Sequence, residues 1–206
     1  MQNILIHPTY FPSISHYVAM AHADTVTLEM DDNFQKQTNR NRMYIYSPNG
    51  IQLLNIPVKH SREAHQKTRD IRLETAFDWQ KQHFKSLEAA YRTSPFFEFF
   101  EDAITPIFTK KHTFLMDLNL ETMQIVAQCL RMKFEYAETS EYFHDATQHV
   151  DFRNLANGKK DNSVLESYTQ VFGEKFGFLN NLSILDLIFN EGRYALEYLR
   201  RQQLKL

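Results

Sequence analysis

The first thirty residues constrain the fold more than any other part of the chain. An apolar run at residues 3–7 is stopped by Pro8, and Pro12 follows closely. Because proline fixes φ and disfavours helix in the residue before it, residues 8–12 form a stiff turn. Serines that can cap a helix come next. Residues 25–30 then alternate in polarity and are rich in β-branched side chains, which is typical of a strand. Strand, turn, helix and strand predict a βαβ unit with parallel strands.

The remaining pattern predicts a hairpin followed by helices. Asn49–Gly50 is a strong hairpin turn signal between apolar runs at 43–46 and 51–58. From residue 77 the apolar period becomes helical, and 134–136 reads as an edge strand. We therefore expect an α/β fold in one domain, 1–206. A small Rossmann-like mixed sheet occupies the N-terminal part, 1–75, and the C-terminal half, 76–206, is mainly helical.

Composition excludes several classes of protein. The chain has 206 residues, is 43% hydrophobic and carries a net charge of -2, so we expect a globular protein that does not bind nucleic acid. The single Cys129 excludes an intrachain disulfide and a CxxC zinc site. The N-terminus lacks the pattern of a signal peptide, and apolar runs fall short of the ~20 residues that span a bilayer. These features predict a cytoplasmic protein and leave its oligomeric state open.

Two acidic residues and two histidines are candidates for proton transfer. Asp31 and Asp32 end the second strand, at the edge where open α/β sheets bind ligands. Either can act as a base or bind sugar hydroxyls, and the alternative is a pair that caps a turn. His7 and His16 flank the proline-rich turn as candidate bases, or as structural histidines. Since no histidine has metal-ligand spacing to these acids, we predict no metal site.

The run Asn39-Arg40-Asn41-Arg42 is the most distinctive candidate for substrate binding. If it is extended, Arg40 and Arg42 share one face, where two guanidiniums suit a phosphate or carboxylate. Lys36 can add positive charge to the same site. A polar loop with surface ion pairs is the alternative. Two aromatic residues of the proline-rich turn are candidates for stacking on the substrate: Tyr10 and Phe11.

Taken together, these motifs resemble the WbqC-like family of bacterial proteins over essentially the whole chain. The matching positions are residues 8–12, 31–32, 34–36, 39–42, 48–50, 54, 57–58, 79–83, 91, 176–178 and 182–192. The chain departs from the family in having His7 where glutamine is common before the first proline. Its segment from about 135 to 165 is also shorter and lacks a glycine-rich run.

The resemblance implies a pathway more than a reaction. Family members occur among genes for bacterial surface polysaccharide and other sugar or natural-product pathways, such as O-antigen biosynthesis. This implies a transferase, of acyl or aminoacyl type, that acts on an amino sugar or a related amine. The expected partner is a small, phosphate-bearing substrate, and neither the residues nor the resemblance identify a cofactor.

Two alternatives remain open. The opening strand, turn and helix are also similar to those of class I nucleotidylyltransferases, which place a His-x-Gly-His motif at the head of the first helix. Residues 13–17 contain one histidine, His16, and no glycine. A nucleotidylyltransferase-like activating enzyme would therefore need other cations, such as the arginines, to bind the phosphates. The second alternative is a non-catalytic protein of the same pathway that uses its aromatic-rich helical half as an interface.

Overall fold

The βαβ unit predicted for the N-terminus is present. In the computed structural model, which describes residues 2–59 and 65–204, strand β1 (Asn3–Ile6) leads through the proline-rich turn to helix α1 (Ile14–Ala21) and strand β2 (Thr25–Leu28). The two strands pair in parallel, from Asn3 opposite Thr25 to Ile6 opposite Leu28. Their carboxyl ends therefore lie at the same edge of the sheet.

Two short strands from the second half of the chain complete this sheet. Strand β5 (Tyr136–Glu138) pairs with β2, and strand β6 (Val150–Asp151) pairs with β1, both in parallel. The order is β5-β2-β1-β6. The edge strand expected at 134–136 thus begins at Tyr136, and the sheet takes strands from both halves of the sequence.

The predicted hairpin forms a separate two-stranded sheet. Strand β3 (Arg42–Ser47) and strand β4 (Gly50–Asn55) are antiparallel, with Arg42 opposite Asn55 and Ser47 opposite Gly50. Gly50 has φ +94°, a left-handed conformation that glycine adopts readily. The hairpin is therefore a sheet of its own, with Arg42 at its open end, opposite Asn55.

The other α-helices lie between residues 79 and 201, and together with the parallel sheet they confirm the α/β class. They are α2 (Trp79–Tyr91), α3 (Phe97–Thr109), α4 (Leu115–Cys129), α5 (Gly173–Phe176), α6 (Ile184–Glu191) and α7 (Ala195–Arg201). Their apolar faces and the sheet share one cluster of buried side chains. Within the described residues, none of these helices is both long and apolar enough to cross a membrane.

Candidate functional site

A buried ion pair lies at the carboxyl edge of the parallel sheet. Asp32 follows β2, and its Oδ2 accepts hydrogen bonds from Arg40 Nη2 at 2.6 Å and Nε at 2.8 Å. His7 follows β1, with its Nδ1 3.6 Å from the same oxygen. All three residues are at least 95% buried. Three residues that the sequence proposed for the site therefore meet.

Burial controls the charge of this cluster. Desolvation raises the pKa of Asp32, although the Arg40 guanidinium opposes that shift. Desolvation also lowers the pKa of His7 well below its usual value, and the positive charges of Arg40 and Arg153 add to the effect. His7 is therefore a neutral imidazole at pH 7.

A second buried carboxylate at this edge was missed by sequence reasoning. Glu29 is wholly buried and accepts hydrogen bonds from Thr139 Oγ1 at 2.8 Å and the Phe143 backbone N–H at 3.1 Å. Arg153 Nη1 lies 3.4 Å from its Oε2. The only sequence signal was its place two residues before the acidic pair, where an alternating strand pattern made it look like a solvent-facing residue.

An open, polar cleft lies beside this cluster. It has a volume of about 290 Å³. The start of β3, the turn before α1 and the two segments 158–161 and 180–183 form its walls. Arg42 and Asn39 line it, as the sequence predicted. Lys159, Asp161 and Asn181 also line it, and their polar, weakly patterned surroundings gave no signal in the sequence.

Two cations of the cleft are free to bind an anion. Arg42 donates from Nε to the Asn55 side-chain oxygen at 3.1 Å, and Lys159 is exposed. Among residues 2–59 and 65–204, no carboxylate lies within ion-pair distance of either side chain. Both can therefore neutralise a phosphate or carboxylate without first breaking an ion pair.

The run from Asn39 to Arg42 is a turn, so its arginines do not share one face. The backbone N–H of Asn41 donates to the Thr38 carbonyl at 3.4 Å, and Gln37 just before has φ +62°. Arg40 consequently points inward to Asp32, while Arg42 points to the cleft. The Asn41 side chain donates to the Ile56 carbonyl at 3.0 Å.

Two further candidates, Asp31 and Lys36, lie outside the cleft. Asp31 forms ion pairs with Lys67 at 2.8 Å and Arg69 at 2.7 Å. Lys36 is exposed and lines a neighbouring hollow of about 440 Å³, which shares Gln37 and Arg42 with the cleft.

The aromatic pair of the proline-rich turn is buried. Tyr10 is fully buried, and its hydroxyl lies 3.0 Å from His83 Nδ1. Phe11 stacks on Phe108, with ring centroids 6.0 Å apart, and its edge reaches the cleft wall. The ring of Tyr10 is thus enclosed by protein, and Phe11 is the one of the pair that lines the cleft.

His16 is connected to the cleft by a chain of hydrogen bonds. Its Nδ1 lies 3.0 Å from Ser13 Oγ, which lies 2.9 Å from Ser15 Oγ. Ser15 Oγ donates to Asp161 Oδ2 at 2.6 Å. Burial lowers the pKa of His16 to about 4, while the nearby Asp161 carboxylate opposes this shift. Of these groups, Ser13 and Asp161 line the cleft.

Six of the eleven predicted site residues thus fall into two groups. His7, Asp32 and Arg40 form the buried cluster, whereas Asn39, Arg42 and Phe11 face the cleft. The described part of the chain contains no group of three His, Cys, Asp or Glu side chains placed to hold a metal ion.

Comparison with known proteins identifies the family. The chain belongs to the WbqC-like protein family, whose model matches residues 7–160. It is also similar to the uncharacterized protein Rv1507c of Mycobacterium tuberculosis, with 25% identity over 95% of this chain and 96% of that protein. No solved structure matches the chain.

Proposed function

We propose that this protein is a group transferase that binds a phosphate-bearing small molecule in the cleft and transfers an acyl or aminoacyl group to an amine. The acceptor is an amino sugar or a related amine of bacterial surface-polysaccharide biosynthesis, as the resemblance to the WbqC-like family implies. The observation that carries the proposal is the pair of free cations, Arg42 and Lys159, at a cleft of small-molecule size.

The rest of the cleft wall suits a sugar. The side chains of Asn39, Asn180 and Asn181 line it together with Gln37. Amides both donate and accept hydrogen bonds, so they can pair with hydroxyl groups in either direction. The cleft therefore combines anion-binding and hydroxyl-binding groups, as a sugar phosphate requires.

Side chains, rather than helix ends, must hold the anion. Helices α1 and α6 both begin at the cleft, and a helix N-terminus with free N–H groups can bind an anion. Here the Ile14 N–H donates to the Leu182 carbonyl at 3.0 Å, and the Ile184 N–H donates to the Pro12 carbonyl at 2.8 Å. The next N–H of α1 donates to the Asn181 side chain. These N–H groups already donate to protein acceptors, so the guanidinium of Arg42 has the main role in binding the anion.

The hollow beside the cleft supports a reaction with two substrates. It is lined by Lys36 and Asn41 and meets the cleft at Gln37 and Arg42. A donor and an acceptor bound on the two sides of Arg42 would be close enough to react. Gln37 is held there in a left-handed conformation, a backbone strain that is common at functional sites.

Nucleotidyl transfer remains the alternative, because His16 lies in the first turn of α1, where nucleotidylyltransferases place a phosphate-binding histidine. In this chain His16 is wholly buried and bonded to Ser13, which favours group transfer. Release of pyrophosphate from ATP or CTP would identify the alternative.

A thermal-shift screen tests the proposal. The panel contains sugar phosphates, nucleotide sugars, nucleotides and acyl thioesters. A ligand at a hundred times its Kd stabilises the fold by about 2.7 kcal/mol, which raises Tm by roughly 5–11 °C for a chain of this size. We expect hits among phosphate-bearing compounds.

Two variants locate the binding site. Arg42→Ala should weaken binding roughly 10- to 150-fold, since a hydrogen bond to a charged group contributes about 1.5–3 kcal/mol. Arg193→Ala is the matched control, because Arg193 is exposed and packs over Tyr194, away from the residues that line the cleft. The proposal fails if no phosphate-bearing compound raises Tm, or if both variants bind such a compound equally well.

A further inference from the structure

The serine that begins helix α1 does not cap it. Ser13 is the N-cap residue, yet its hydroxyl makes no capping hydrogen bond. N-cap serines usually accept a bond from an N–H of the first turn, as Ser183 does at the start of α6 by accepting from Leu185 N–H at 3.4 Å. The Ser13 hydroxyl instead lies between His16 and Ser15. The Ser13 hydroxyl therefore connects two side chains instead of capping the helix.

Four side chains make a continuous path from the core to the cleft. The path runs from His16 Nδ1 through Ser13 Oγ and Ser15 Oγ to Asp161 Oδ2, with successive distances of 3.0, 2.9 and 2.6 Å. Ser15 and His16 are completely buried and Ser13 is 8% exposed, whereas Asp161 is half-buried at the cleft wall. Proton exchange with a ligand can therefore occur at one end only.

The number of protons allows this path to act as a relay. Three hydrogen bonds need three protons, and the two serine hydroxyls supply two of them. The third must reside at an end of the path, on His16 Nδ1 or on the Asp161 carboxyl. Moving one proton from Asp161 to His16 passes it through both hydroxyls and reverses each hydrogen bond, with no change in the positions of the heavy atoms.

Asp161 keeps an acceptor position for a ligand. A carboxylate has about four acceptor positions. Oδ2 accepts from Ser15 Oγ and from Asn181 Nδ2, each at 2.6 Å, and Oδ1 accepts from the Ser163 backbone N–H at 3.0 Å. Hydrogen bonds from described residues thus use three positions and leave one. Asn181 is fixed at this point with φ +54° and also accepts from the Ser15 backbone N–H.

We propose that Asp161 is the acid–base group of the cleft and that Ser15 and Ser13 carry its proton to and from His16. This inference rests on the proposed function for its substrates, a primary amine and an activated acyl ester or thioester. The ammonium form of the amine gives one proton to Asp161, and the relay stores that proton on His16. The amine nitrogen then forms a bond to the acyl carbon, and the bond from that carbon to the donor oxygen or sulfur breaks. The leaving group takes the stored proton back through Asp161, and the new amide nitrogen loses its second proton to water.

The charges around the two ends are suited to this exchange. Asp161, Arg40 and His7 are the charged or titratable groups that act on His16. Arg40 disfavours the imidazolium and Asp161 favours it. Since Arg42 and Lys159 share the cleft with Asp161, a bound anion would reduce their positive charge and favour transfer of a proton to the relay.

The test is a pH titration by NMR of the intact, isotope-labelled protein, following the Asp161 side-chain carbon and the His16 ring nitrogens from pH 8 to 4. A shared proton belongs to the pair, so both signals should change at one midpoint. In Ser15→Ala the path is broken, and the two groups should titrate at separate midpoints. Ser163→Ala is the matched control, because it keeps the backbone N–H that binds Asp161, and it should preserve the common midpoint.

Two outcomes would overturn the relay: separate midpoints in the unmodified protein, or a common midpoint that persists in Ser15→Ala. If Ser15→Ala does not fold, Ser13→Ala interrupts the path at the next hydroxyl and answers the same question. The titration needs no substrate. If no ligand raises Tm but Asp161 and His16 share a midpoint, the proposed function is rejected and the relay is kept. If a phosphate-bearing ligand raises Tm but the midpoints are separate, only the relay is rejected.

Discussion

The buried pair of Asp32 and Arg40 gives the sharpest prediction about stability. Both side chains are at least 96% buried, and two nitrogens of Arg40 share one oxygen of Asp32 at 2.6 and 2.8 Å. Arg40→Met would leave a carboxylate without its main partner in the interior. Breaking a buried pair in this way costs about 3–5 kcal/mol. For a chain of this length that lowers Tm by roughly 6–20 °C.

Replacing both partners should cost much less than replacing one. Asp32→Leu combined with Arg40→Met removes both charges, and apolar replacements of buried pairs are often close to neutral. Stability should not return fully to that of the unmodified protein, because two neighbours lose a partner. His7 lies 3.6 Å from Asp32, and Thr38 lies 3.3 Å from Arg40. Since each single replacement costs about 3–5 kcal/mol and the double replacement much less than either, we expect a coupling energy of at least about 4 kcal/mol between the two substitutions.

Urea unfolding of the four proteins in this cycle measures that coupling. The midpoints and slopes give the free energy of unfolding of each variant. Additive losses, or a single variant that loses less than about 1 kcal/mol, would refute the reasoning. Such a result would mean that the pair is solvated like a surface ion pair and is available to bind substrate.

Two further predictions concern a glycine and a histidine. A Cβ on Gly192, which has φ +54°, would lie 2.6 Å from the Phe96 ring, whereas Gly177, with φ +75°, faces open space. Gly177→Ala should therefore cost about 1–3 kcal/mol, because φ +75° with ψ -171° is a conformation that essentially only glycine adopts. Gly192→Ala should cost about 1–3 kcal/mol more for the clash, and equal losses in thermal unfolding would contradict this. Burial lowers the pKa of His83 to about 4, so between about pH 6.5 and 4 the unfolded chain binds a proton there that the folded protein does not. As the pH is lowered through this range, stability should fall by up to about 1.4 kcal/mol per pH unit because of this residue. His83→Asn should remove that slope from urea midpoints measured at pH 4 to 7.

Local signals in the sequence were sufficient for the βαβ unit and the hairpin. Pro8 and Pro12 restrict the backbone between β1 and α1, and Gly50 permits the tight turn of the hairpin. Strands β5 and β6 have three and two residues, and all of β5 is exposed. Segments this short carry no period, and their pairing with β2 and β1 depends on the tertiary fold.

The candidate site was harder to predict because the chain reverses within it. An extended chain would place Arg40 and Arg42 on one face, but the turn from Thr38 to Asn41 directs them to different sides. Asp161 lies far from α1 in the sequence, in a polar segment whose pattern does not distinguish it from a surface aspartate. Only the fold shows that its oxygen meets Ser15.

The strand order also has a consequence for synthesis on the ribosome. Strands β1 and β2 emerge first, but the strands that pair with their outer edges lie at 136–138 and 150–151. At 5–20 residues per second, the central pair waits roughly 5–20 s with both edges unpaired. Unpaired edges recruit other strands. A nascent chain of this protein is therefore open to aggregation until residue 151 has been made, and we expect it to depend on chaperones that shield such edges.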